Sequence, residues 1–160
     1  MRSSRDKIGS LDEVRVAVLS AHAAGRSVAL ANGCFDILHV GHVRYLTGAS
    51  HEADLLVVGI NGDASVRRLK GAGRPVMPAA ERARLVAGLR AVDHVVVFEG
   101  DDVRELLETL RPDVHCKGTD YTPETVPERE TVLEIGAEIA IVGDPKDHAT
   151  TDLLERIRRS

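Results

Sequence analysis

The chain has 160 residues, 43% of them hydrophobic and 29% charged, the size and balance of one globular domain with one core. A formal charge of −4, with two Phe, two Tyr and no Trp, excludes the basic surface and the stacking platforms on which nucleic-acid binding depends. No stretch reaches membrane-spanning length, residues 1–7 lead into no apolar signal-type segment, and Cys34 and Cys116 cannot build a disulfide framework, so the expectation is a cytoplasmic protein with reduced cysteines and no membrane partner.

Residues 11–24 predict an amphipathic helix packed on the domain, with Ser10 and Glu13 as a capping box and Gly25 as its stop. Its inner side is read as Leu11, Val14, Val16, Ala17, Leu19 and Ala23. Strands and helices then alternate: strand 27–31, helix 39–52, strand 54–60, a short helix 64–69, helix 79–90, strand 94–98, helix 101–110 and strand 114–117. A helix around 127–136, strand 138–142 and a closing helix 150–158 complete the chain. Five short apolar strands separated by helices predict a Rossmann-like, doubly wound α/β fold with a parallel sheet covered on both faces. One domain spans 1–160, with 1–25 as an extension and helix packed on it. The longest piece without an element is 70–78, rich in Gly and Pro between basic residues, a composition suited to a ligand-binding loop.

The first strand ends in Asn32-Gly33-Cys34-Phe35-Asp36-Ile37-Leu38-His39-Val40-Gly41-His42: a strand, a glycine turn, then a helix carrying two histidines three apart. Residues at that spacing share a helix face, so both imidazoles can address one ligand beside a helix N-terminus that already favours phosphate. Gly41 between them lets a triphosphate approach the backbone. A structural metal site would need further ligands that the pair lacks, and no metal is expected to be held by the protein. Asp36 is open between helix N-cap and a direct ligand or metal role.

This segment resembles the HxGH signature of the nucleotidylyltransferase superfamily, sharpened by the Asn-Gly-x-Phe-Asp before it. The resemblance implies that His39 and His42 bind nucleotide phosphates and stabilise charge while the α-phosphorus is attacked, with Asn32, Gly33, Cys34 and Phe35 around the nucleotide. It also implies the strand order 3-2-1-4-5, which places strands one and four together where the order reverses, the crevice in which open sheets bind ligands. The likeness extends over roughly residues 8–158, judged by eye. In order and spacing it resembles the adenylyltransferases of bacterial heptose activation, which in many bacteria form the C-terminal half of a protein whose other half is a sugar kinase.

Four further segments carry that likeness. Asn61 to Gly71 followed by Gly73-Arg74-Pro75-Val76 is the most discriminating, with Lys70 in the position of a lysine that follows phosphate charge, and Asn61, Arg74 and Asp36 assigned to the sugar phosphate. Lys117-Gly118-Thr119-Asp120-Tyr121 resembles the family's Lys-Gly-Gly-Asp-Tyr; Lys117, Gly118 and Asp120 are nucleotide-site candidates, and Thr119 would be strained if its position needs a positive φ. Before the last helix, Thr150 and Thr151 resemble a Ser-Thr-Thr anion site in which Ala149 replaces the serine; Thr150 is also a plain N-cap candidate, and His148 is near enough to touch the nucleotide. Of the remaining histidines, His22, His51 and His94 read as marginal surface residues and His115 as packed beside its strand.

The resemblance implies an adenylyltransferase: ATP and D-glycero-β-D-manno-heptose 1-phosphate give ADP-heptose and pyrophosphate. Magnesium is expected to arrive bound to the ATP phosphates and water. A homodimer is expected by analogy. The competing readings are a cytidylyltransferase for a polyol phosphate and a nucleotide-binding module without turnover.

Overall fold

The computed structural model describes residues 2–145 and 150–160. A 3-10 turn, Ser4–Lys7, leads into α1 (Leu11–Ala23), where the Ser10 hydroxyl accepts from the Glu13 amide at 3.2 Å and the Glu13 carboxylate accepts from the Ser10 amide at 2.7 Å. There follow β1 (Val28–Gly33), α2 (Val40–Ser50), β2 (Leu55–Asn61), α3 (Asp63–Lys70), α4 (Ala79–Ala87), β3 (His94–Phe98) and α5 (Arg104–Leu110). The last elements are β4 (Val114–Lys117), α6 (Arg129–Glu134), β5 (Glu138–Ile141) and α7 (Thr150–Arg159).

The strands pair in parallel in the order β3-β2-β1-β4-β5, the order the resemblance implies. Strand alternation divides β1 between two cores. Ala29 and Ala31 face Leu46 and Ala49 of α2 and Ala83 and Val86 of α4. Val28 and Leu30 face Val14 and Val18 of α1, Leu106 and Leu107 of α5 and Val132 of α6. Leu30 and Leu46 are fully buried, each worth ~1.5–3 kcal/mol of transfer free energy. At Gly59, where β2 passes α5, a Cβ would lie 2.6 Å from Leu106 Cδ1, so any larger residue would force that buried leucine to shift.

Three details correct the sequence reading. On α1 the buried residues are Val14, Val18 and Ala21, a spacing of four and three, whereas Val16 (66% exposed) and Leu19 (53%) point outward and are not on the inner side. Helix α5 starts at Arg104 and not at 101, because the Asp102 carboxylate accepts the Arg104 amide at 3.1 Å and holds 101–103 outside the helix. Helix α4 stops at Ala87, capped by Gly88, so residues 88–90 lie beyond it.

The chain runs outward from β1 through β2 to β3, then crosses to β4 on the other side of β1. The reversal opens a crevice beyond the carboxyl ends of β1 and β4, and the loops after these strands converge there.

Candidate active site

The turn from β1 to α2 is strained. Phe35 (φ 49°) and Ile37 (φ 60°) both occupy the left-handed region, which is costly for any residue with a Cβ and most so for a β-branched one. Gly33 gives the Phe35 ring its place, as a Cβ on residue 33 would sit 3.1 Å from it. Two buried charges hold the turn. The Arg82 side chain, fully buried on α4, donates from Nη1 to the carbonyls of Cys34 (2.6 Å) and Asn61 (2.7 Å), from Nε to the Met77 carbonyl (2.9 Å) and from Nη2 to Asp63 (2.7 Å). Asp36, 2% exposed, accepts from Arg74 Nε (2.7 Å) and from the amides of Val76 (2.8 Å) and Met77 (3.0 Å). Burial pushes the Asp36 carboxyl up, but the two amides and the Arg74 guanidinium outweigh it and hold the group below the usual carboxylate range. Asp36 is therefore the anchor of the 74–77 loop and not a helix cap. The left-handed backbone on either side of it aims its carboxylate at that loop.

The N-cap of α2 is His39. Its Nδ1 accepts from the Gly41 amide at 3.1 Å, and His42 Nδ1 accepts from the His39 amide at 3.3 Å, a capping box made of two imidazoles. The rings stack with centroids 3.8 Å apart and 25° between planes, and His42 meets Phe35 edge-on at 5.3 Å. With both Nδ1 atoms accepting, the proton of each neutral ring is assigned to Nε2, so each histidine offers a hydrogen-bond donor.

A cavity of about 440 Å³ lies over this turn. Asn32, Gly33, Cys34, Phe35 and Asp36 line it from β1 and its turn, and His39, Gly41 and His42 from the start of α2. Asn61, Lys70 and Arg74 line it from the β2 side, Lys117, Gly118 and Asp120 from the loop after β4, and Thr150 and Thr151 from α7. Every site residue expected from the sequence thus borders one cavity, except His148, which with Ala149 lies outside the described residues.

Lys117 is 8% exposed, with its ammonium 3.8 Å from Glu128 and 4.7 Å from the Tyr121 ring centre. Burial lowers its pKa; Glu128 and Asp120 oppose that shift without cancelling it. Thr119 is not among the residues of positive φ, so the strain feared for it does not arise; its hydroxyl donates to the Asp144 carbonyl at 2.9 Å and joins the loops after β4 and β5. Thr150 is the first residue of α7, and its hydroxyl donates to the Asp36 carbonyl at 2.9 Å, tying α7 to the β1 turn. Cys34 lines the cavity as a thiol whose pKa burial raises, and Cys116 is buried and pushed up to about 12.

The sequence matches the cytidylyltransferase-like family over residues 30–156, a range that includes all of the cavity-lining residues named above. The chain belongs to that family of nucleotidyltransferases. It is 49% identical over 152 residues to the bifunctional protein HldE of Geotalea uraniireducens, covering 95% of this chain and 31% of that protein. It is 46% identical over 157 residues to bifunctional protein HldE of Pseudomonas paraeruginosa, covering 98% of this chain and 33% of that protein. The chain thus spans about a third of the length of these curated relatives. Among solved structures, the lipopolysaccharide core biosynthesis protein from Thermoplasma volcanium superposes with a TM-score of 0.66 at 26% identity, over 76% of this chain and 100% of that one.

Within this family frame, sequence reasoning missed several residues that shape the site. Arg82 carried a signal: it stands four before Val86 and one before Ala83, inside the stripe Ala83, Val86, Ala87 that α4 turns inward. Tyr45 lines the cavity from α2 and donates its hydroxyl to the Cys116 carbonyl at 2.8 Å; burial raises its pKa. Glu128 gave no signal, as nothing in Glu128-Arg129-Glu130 marks which carboxylate is buried. Arg44 and Asp144, 3.2 Å apart and half exposed, form part of the rim.

Proposed function

We propose that the chain transfers AMP from ATP to a heptose 1-phosphate, D-glycero-β-D-manno-heptose 1-phosphate, giving ADP-heptose and pyrophosphate. One observation carries the reading: two stacked imidazoles, held by the first amides of α2, border the same cavity as Lys70, Lys117, Thr150 and Thr151. Nearly half of the residues are identical to those of the HldE proteins across most of this chain, which favours a sugar phosphate of that kind.

In the proposed reaction an oxygen of the sugar phosphate attacks the α-phosphorus of ATP in line, a new P–O bond forms, and the bond to the leaving pyrophosphate breaks. Both electrons of that bond leave with pyrophosphate, and no covalent enzyme intermediate is required. The Nε2 donors of His39 and His42 and the ammonium of Lys70 meet the negative charge that builds on the transferring group, while Thr151 and the amides opening α7 hold the leaving part. The rigid capping geometry means that these donors need no reorganisation as charge develops. ATP enters as its magnesium complex. The Asp36 carboxylate already has three donors, which suits a cation carried by phosphates and water better than one held by the protein. The reaction is assigned to the cytoplasm, where ATP is made, and the working form to a homodimer, read by sedimentation equilibrium.

The test supplies purified protein with the heptose 1-phosphate and either ATP or CTP, and follows pyrophosphate. Release with ATP that His42→Ala abolishes supports the reading. Release with CTP only would replace it with a cytidylyltransferase, and nucleotide binding without release under any pairing would reduce the chain to a binding module.

A further inference from the structure

Beneath the loop after β4 lies a buried group of three ionisable side chains that the reaction above does not use as a unit. Alternation along β4 sends His115 and Lys117 to the same face, and Glu128, the residue before α6, meets both from below. Glu128 is 5% exposed and His115 is fully buried. The Glu128 Oε2 atom stands 3.6 Å from His115 Nε2 and 3.8 Å from Lys117 Nζ, and it has no hydrogen-bond partner among the described residues.

That spacing is informative. A carboxylate within hydrogen-bond reach would take up one or more of the ammonium's N–H groups. At 3.8 Å it supplies an attractive field and leaves those donors for something else. The Tyr121 ring, 4.7 Å from Nζ, covers Lys117 with another cation-favouring surface, and the cavity is where the ammonium can still find acceptors. We infer that Glu128 is a positioning residue: its buried carboxylate keeps Lys117 a charged ammonium directed into the cavity, where it holds an anionic part of the nucleotide. The inference rests on the nucleotidyl-transfer reading for the identity of that ligand.

The charge balance agrees. Burial pushes the Glu128 carboxyl up, but His115 and Lys117 outweigh it and the group lies below the usual carboxylate range, so Glu128 is an anion near neutrality. The ionisable groups facing this assembly are His115 on β4, Asp120 and Tyr121 in the loop, Glu128 before α6 and Tyr45 on α2. Of the two carboxylates, Glu128 is the buried one, and so the less screened by solvent.

The experiment compares wild type, Glu128→Gln, Glu128→Asp and Lys117→Met by NMR titration of the Lys117 Cε resonance and by calorimetric ATP affinity against pH. In Glu128→Gln the Lys117 midpoint is expected to drop by about one pH unit or more, and ATP binding to weaken about tenfold on the alkaline side but much less on the acid side. Glu128→Asp should recover a large part of both, and Glu128→Gln should add almost nothing to the loss caused by Lys117→Met. A Lys117 midpoint unmoved in folded Glu128→Gln, or losses that are uniform with pH and additive with Lys117→Met, would overturn the inference and leave Glu128 a packing residue. If Glu128→Gln does not fold, Glu128→Asp decides through ATP affinity: a partial loss confined to the alkaline side and absent on the Lys117→Met background supports the inference, and a loss uniform with pH overturns it. Failure of wild type to bind ATP would instead count against the proposed function, and the titration would still judge Glu128.

Discussion

The two walls of the cavity are built differently. The wall at β1 and β2 is fixed by buried charge: Arg82 ties the ends of both strands and the loop before α4, Asp36 pins the 74–77 loop, and the two histidines lock each other through backbone amides. The wall at β4 and β5 is held more loosely, by the exposed Thr119 hydroxyl on a carbonyl, a half-exposed Arg44–Asp144 pair and the 3.8 Å separation of Lys117 from Glu128. β5 and α7 contain no buried residue, whereas β2 is buried along almost its whole length. Under the proposed reaction the contrast is a division of labour: donors for a developing charge must be preorganised, and groups that would admit and release a nucleotide can give.

The hardest test of that contrast is Arg82→Met. It takes the donors from three carbonyls around a strained turn and removes the Asp63 ion pair, and about 3 kcal/mol or more of stability should vanish in urea denaturation. Next comes His42→Ala, expected to cost about 2.7–4 kcal/mol of transition-state stabilisation, seen as a hundred- to a thousand-fold loss in kcat. Lys117→Met on the opposite wall should act mainly through the KM for nucleotide; equal kcat losses at both walls would erase the distinction.

Asp36→Asn should cost about 1.5–3 kcal/mol, since a charged acceptor of three hydrogen bonds becomes neutral. Its folded pKa lies below the ordinary value of 3.8, so its contribution is complete above that value and is lost as pH falls through the lower, folded one. Denaturation midpoints of Asp36→Asn should accordingly depend less on pH in the acid range than those of wild type. The smallest effect is expected at Thr119: Thr119→Val loses one hydrogen bond to the Asp144 carbonyl, about 0.5–1.5 kcal/mol. Thr119→Gly should lose that bond without relieving any strain, because the threonine φ is not positive.

The element order was legible because aliphatic runs such as residues 55–60 and 94–98 are too short for helices and too apolar for loops. The histidine pair, Lys117 and the threonines were legible because their spacing resembles a known pattern, and one cavity collects them. Asp36 was only half legible. Its place in the motif was plain, but its partners lie about 40 residues away in sequence, in a loop that no periodicity places against it. The face of α1 was misread because Val16 and Leu19 are as apolar as Val14 and Val18, and only the sheet decides which pair is covered. Glu128 was hidden for a related reason: burial of one carboxylate in a charged run is a tertiary fact.

The single bond from the Thr150 hydroxyl to the Asp36 carbonyl spans 114 positions of the chain. Contacts of such separation close large loops and form after local pairings have reduced the entropy of the chain between them. The last helix therefore closes the pocket across most of the length of the chain, and its seat is the backbone of the strained turn.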